Sequence, residues 1–117
     1  MNIAVTGLHM EKDPQLKEYA YKKSKKLLKY HTQIQDINIR LISQKSHRGQ
    51  EKDFYCELTV KVPGKTLEIV DTQRQMDKAI DRAVDRMIRL LVKYREKQIS
   101  KLHRKGILNK VLSRFRS

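Results

Sequence analysis

The chain has no tryptophan and a single cysteine, Cys56, in 117 residues. One thiol excludes an internal disulfide framework and fits a reducing cytoplasm. Five tyrosines and two phenylalanines are the only aromatic residues, and they form no row of the kind that stacks unpaired bases. No apolar run approaches the ~20 residues of a membrane span. The opening MNIAVTGLH has neither a basic n-region nor an apolar h-region, so a signal peptide is not expected. A Gly-rich phosphate loop, a CxxC pair and an HxxxH pair are all missing. His9, His31, His47 and His103 fall on separate elements and make no acid–base constellation. No catalysis, cofactor, metal or small-molecule substrate is expected. Acidic residues are also scarce, at 13 against 27 Lys and Arg, and beyond Glu96 there are none.

What is present is positive charge arranged on a small folded domain. The length fits one domain. The 38% apolar fraction is periodic enough for a packed core. A net charge of +14 predicts an acidic partner, with nucleic acid ahead of an anionic membrane.

Taken in order, Asn2 to His9 alternates Ile3 and Val5 with polar or small residues, a short strand. Asp13-Pro14 starts a helix running to about Tyr30, with Leu16, Tyr19, Ala20, Leu27 and Tyr30 on its buried side. Ile34 to Gln44 is a second strand, with Ile37, Ile39 and Leu41 facing one way. Lys45 to Gln50 is a basic hairpin loop, read as a mobile tip. In the third strand, Phe54 to Val62, Cys56 shares the inward face with Leu58, Val60 and Val62, which makes it a small core residue rather than a nucleophile. Pro63-Gly64 supplies a type II turn, and the fourth strand covers about Thr66 to Asp71. Strands joined by tight turns should pair antiparallel. Thr72-Gln73-Arg74-Gln75 fits a capping box ahead of a long helix to about Arg104, and Gly106 is its expected stop. The order β-α-β-β-β-α predicts an α+β two-layer sandwich: a four-stranded sheet with two helices on one face, similar to a double-stranded-RNA-binding domain. The expected division is a domain over 1–104 and a basic amphipathic tail over 105–117.

Both helices carry cationic stripes. Lys22, Lys25, Lys26 and Lys29 line the first helix opposite its buried side. On the second, Lys78, Arg82, Arg86, Arg89, Lys93 and Lys97 fall on one flank of the apolar face, and Asp77, Asp81 and Asp85 on the other. One stripe alone reads equally well as a solvated face. Two on one small domain favour a polyanion. The acidic row could in principle hold Mg²⁺ for phosphodiester cleavage. The plainer reading sets the early acids against the helix dipole and pairs Asp85 with Arg89.

Three segments carry a resemblance. Ile3-Ala4-Val5-Thr6-Gly7, Lys23-Ser24-Lys25-Lys26-Leu27-Leu28-Lys29-Tyr30 and Gln75-Met76-Asp77-Lys78-Ala79-Ile80-Asp81 are similar, in order and spacing, to motifs of the ribosome hibernation promoting factor family, which includes the ribosome-associated inhibitor proteins. The third matches at Met76, Ala79, Ile80 and Asp81 and departs at Gln75, Asp77 and Lys78. The resemblance covers about residues 1 to 97. It implies a non-catalytic translation silencer, cytoplasmic and monomeric when free. Such a protein occupies the mRNA and tRNA channel of the small ribosomal subunit, on free subunits or whole ribosomes, in starved or stationary cells. By matching position, Lys23, Lys26, Lys29, Arg82, Arg86, Arg89 and Lys93 would contact ribosomal RNA phosphates. Lys22, Lys25, Lys78 and Lys97 join them by helix geometry. Longer members add a C-terminal domain that pairs ribosomes, and the roughly twenty residues after Lys97 are too few for one. The other readings are an RNA-binding module acting away from ribosomes and a metal-dependent nuclease built on Asp77, Asp81 and Asp85.

Overall fold

A computed structural model describes residues 2–8, 13–45 and 52–114, with side chains for all of these except 45, 52, 104, 105 and 107–114. Four strands, β1 (Asn2–Leu8), β2 (Asp36–Lys45), β3 (Lys52–Val62) and β4 (Lys65–Gln73), form one sheet in the order β1-β2-β3-β4. β1 and β2 run parallel. A parallel pair needs a crossover connection, here the helix α1 (Pro14–Lys25). The β2–β3 and β3–β4 pairs are antiparallel. Gly64 takes φ +80 in the turn between β3 and β4, the left-handed position that a type II turn reserves for glycine. His9 and the loop from residue 46 to 51, including His47, lie outside the described residues.

Both helices cover one face of the sheet. Ile37, Ile39, Leu41, Cys56, Leu58, Val60 and Val62 alternate inward along β2 and β3, and all are essentially inaccessible. Ala79, Ile80, Ala83, Val84, Met87 and Leu91 of the long helix α2 (Met76–Arg114) close over them. Ala20 and Leu27 do the same from the first helical segment. The two alanines of α2 leave it little side-chain bulk beneath, so its backbone can sit low on the sheet. The opposite sheet face is mostly polar, with Arg40 and Glu57 directly across from each other at 3.8 Å.

Three boundaries differ from the sequence expectation. Asp13 caps α1, its carboxylate accepting the N–H groups of Gln15 (3.1 Å) and Leu16 (3.2 Å). The expected α-helix nevertheless ends at Lys25, and Lys26–Lys29 tightens into a 3-10 turn that drops Leu27 into the core. Thr72 caps nothing: β4 continues to Gln73, and Thr72 sits opposite Tyr55 in the ladder. The helix starts at Met76, with the Gln75 carbonyl accepting the Ala79 N–H at 3.1 Å. Extending the ladder satisfies more backbone groups than a capping box would. Gly106 does not stop α2, which continues through it to Arg114. Glycine costs a helix interior only about 1 kcal/mol, and strong helix formers flank it. The boundary expected between 104 and 105 therefore falls within one continuous helix.

Candidate nucleic-acid interface

Two contacts fix how α2 is rotated on the sheet. On one side Asp81 faces α1, where the Tyr19 hydroxyl donates to its carboxylate and the Lys23 ammonium lies 3.4 Å away. On the other side Arg86 faces β4, its Nη1 donating to the Val70 carbonyl (2.9 Å) and to Asp71 Oδ2 (3.1 Å). With about 100° of turn per residue, Asp77 and Asp85 flank Asp81 on the α1 side. Lys78, Arg82, Arg89 and Lys93 lie toward solvent and β4. The acids sorted onto one flank thus form a seam between the helices.

The first stripe lies across that seam. Lys25, Lys26 and Lys29 are exposed, and no ion pair engages them among the described residues. Lys22 is also exposed, and pairs with Glu18 one turn earlier at 3.3 Å. Such a pair is worth about 0.3–0.5 kcal/mol and yields readily to a phosphate. Lys23 is different. It is half-buried between the helices, paired with Asp81, its ammonium 5.7 Å from the centroid of the Tyr19 ring. The charge of Asp81 raises the Lys23 pKa above its ordinary value. The hydrogen bond to Asp81 raises that of the Tyr19 phenol. Both groups are held in the protonated forms that bridge the helices.

On α2, Lys78, Arg82, Arg89, Lys93 and Lys97 are exposed without an ion pair among the described residues. Arg86 neutralises Asp71, a carboxylate only 6% exposed that also accepts from Gln73 Nε2 at 2.8 Å. Removing one partner of a buried pair is more costly than the pair's net worth, so the contact holds Arg86 in place. Of the eleven cations the sequence nominates, the structure leaves ten exposed, including Arg86, whose side chain stays 45% accessible while tied to Asp71, and draws only Lys23 inward. Sequence reasoning missed Tyr19 and Asp71 as the groups that position the stripes. Asp71 had a signal: it follows Leu67 and Ile69 at inward strand positions, where a carboxylate needs a cation facing it.

The remaining chemistry is sparse. Burial, with the charges of Asp71 and Glu57, pushes the Cys56 thiol up to about 12, so it is not a nucleophile at neutral pH. Among the described residues no cluster of three or more His, Cys, Asp or Glu side chains is placed to hold a metal. The Asp81 carboxylate is already engaged by Tyr19 and Lys23. No helix among the described residues is long and apolar enough to cross a membrane.

The site is thus a mixed four-stranded sheet carrying two helices whose solvent faces bear rows of exposed cations, most of them without an ion pair among the described residues. The model of the sigma 54 modulation protein / S30EA ribosomal protein family matches residues 3–99, and the chain belongs to that family. Among solved structures it is similar to a ribosomal subunit interface protein from Coxiella burnetii, with a TM-score of 0.69 and 24% identity over 82% of this chain and 99% of that one. It is also similar to the N-terminal domain of Thermus thermophilus Protein Y, with a TM-score of 0.63 and 23% identity over 80% and 99%. At these identities the likeness establishes the shared fold. No curated protein sequence matches the chain.

Proposed function

We propose that this protein is a cytoplasmic, non-catalytic translation silencer. It binds the small ribosomal subunit, free or within whole ribosomes, in the channel used by mRNA and tRNA, and keeps idle ribosomes intact under stress or in stationary phase. Family membership and the names of the structural relatives support the ribosome as the partner. The observation that carries the chemistry is the pair of exposed cation rows, Lys25, Lys26 and Lys29 beside Lys78, Arg82, Arg89 and Lys93, on a surface with no aromatic row. Such rows contact phosphates and read shape rather than base sequence. Lys23 and Arg86 hold the rows in register, and Lys22 and Lys97 extend them. The acidic seam between the rows repels phosphate, so each row takes its own stretch of backbone. The body of the protein acts as a monomer, and the basic segment 105–117 follows it in the sequence.

The test is sedimentation of the purified protein with small subunits and with whole ribosomes, with and without excess tRNA and mRNA. Co-migration near one copy per particle, abolished when tRNA and mRNA fill the channel, is the expected result. Binding that persists beside them would overturn the channel assignment. Equal affinity for ribosomal particles and plain RNA duplex would leave an RNA-binding module acting away from ribosomes.

A further inference from the structure

From Arg95 to His103 the long helix buries no side chain. Tyr94 itself is tied down: its hydroxyl donates to the Pro63 carbonyl at 3.0 Å, and its ring lies against His31. From Arg95 to His103 every side chain is exposed, including Ile99 at 55% and Leu102 at 68%. The helix continues to Arg114. At 1.5 Å per residue, the part of α2 beyond Tyr94 is about 30 Å long, and the longest dimension of the molecule is 74 Å. Most helices in proteins are stabilised by packing one face. Between Arg95 and His103 no face is packed, and Lys93, Lys97 and Lys101, at i and i+4 spacing, repel one another.

Two occupants fit such an arm in principle, an apolar groove or a polyanion, and the residues favour the second. A groove would need a sustained apolar seam. Over residues 95–106, positions 95, 99, 102 and 106 would form it, and they hold Arg95, Ile99, Leu102 and Gly106; charge breaks the seam at one end and a missing side chain at the other, and the apolar residues of the amphipathic tail, Ile107, Leu108, Val111, Leu112 and Phe115, begin only beyond it. The cations, in contrast, form an unbroken ladder. Arg89, Lys93, Lys97 and Lys101 follow at four-residue intervals, each about 6 Å further along the axis, and all are exposed. The ladder begins on the body and runs out along the arm, where Arg104 and Lys105 come next in the sequence. A second copy of the same arm would meet like charge, since no acidic residue follows Glu96.

We propose that the projecting half of α2 is an RNA-backbone rail. Residues 97–105 lie along the phosphates of a ribosomal RNA helix beyond the surface that the body itself covers. The inference rests on the proposed ribosome binding for the source of the RNA, and on the ladder for the chemistry. Its test uses the full chain carrying Lys97→Gln, Lys101→Gln, Arg104→Gln and Lys105→Gln together, with helix content checked by circular dichroism. Affinity for purified small subunits and for a defined RNA duplex is measured across a salt series. Each lost phosphate contact lowers the slope of log affinity against log salt by about 0.7–0.9, so the slope should fall by roughly 3. A second variant, Ile99→Asn with Leu102→Asn, should bind as the parent does. An unchanged slope in the four-cation variant overturns the rail. So does loss of subunit binding in the apolar variant alone, which would mark a protein groove as the occupant. If the full chain fails to bind subunits while the duplex slope still falls by roughly 3, the rail stands and the ribosome reading falls.

Discussion

From Met76 to Tyr94, α2 lies on the sheet with Ala79, Ile80, Ala83, Met87 and Leu91 fully buried; from Arg95 to His103 every side chain meets solvent. The two halves share one backbone and one row of cations. The packed half owes its helix to the apolar face beneath it, and there the cations are passengers held at fixed positions by Asp81 and Arg86. From Arg95 to His103 the projecting half keeps its helix with no buried side chain, and there the cations are the dominant feature. Fixed charge can select a shaped surface, whereas charge on an unsupported helix adapts to whichever backbone it meets.

The largest effect that would sharpen this contrast is on stability. Met87→Ala should cost about 2–5 kcal/mol, as core truncations do, while Leu102→Ala should stay within about 0.5 kcal/mol; denaturant titration of both variants reads the difference. If Leu102→Ala proved as costly as Met87→Ala, the arm would have to be packed in solution. Next comes Arg86→Ala. It leaves Asp71 buried without its cation and should destabilise by about 1–3 kcal/mol, whereas Arg89→Ala, one turn on and unpaired, should be nearly neutral.

A smaller effect belongs to the bridge between the helices. Asp81→Asn should cost about 1 kcal/mol. Tyr19 and Lys23 both titrate above their ordinary values of 10.0 and 10.5 in the folded protein. Their contribution is therefore complete below those values and lost as pH rises through the raised ones. The gap between parent and Asp81→Asn should be constant from pH 7 to 9 and shrink in more alkaline solution. A gap that instead widened there would remove the bridge from the account. The smallest effect is Gly106→Ala. The added methyl meets no atom within 4 Å, and helix content of the arm should rise while global stability moves by less than about 0.5 kcal/mol.

Much of this was legible in the residues because periodicity reports burial. The alternation from Phe54 to Val62 and the three- and four-residue spacing from Met76 to Tyr94 each led to the observed inward face. What stayed hidden depends on competition between elements. The T-x-x-Q pattern at Thr72 is a valid cap, but β3 offered Thr72 a ladder partner first. Gly106 looks like a stop because glycine often ends helices, although Ile107, Leu108, Val111 and Leu112 beyond it keep a helical spacing. The exposure of Lys25, Lys29, Arg82 and Arg89 could be read from a helical wheel. The inward turn of Lys23 and the tie of Arg86 to Asp71 could not, since the partners Asp81 and Asp71 lie at positions that packing brings together. That the acidic flank of α2 would face α1 is likewise a property of the packed pair.

The most direct test is the salt dependence of binding between the full chain and purified small ribosomal subunits. Cation rows working through phosphates predict a steep linear fall of log affinity with log salt, with a slope magnitude of about 5 or more if seven or more contacts form. A flat response, with tight binding retained at high salt, would contradict the account, because the partner would then be recognised by something other than the exposed cations of the two helices.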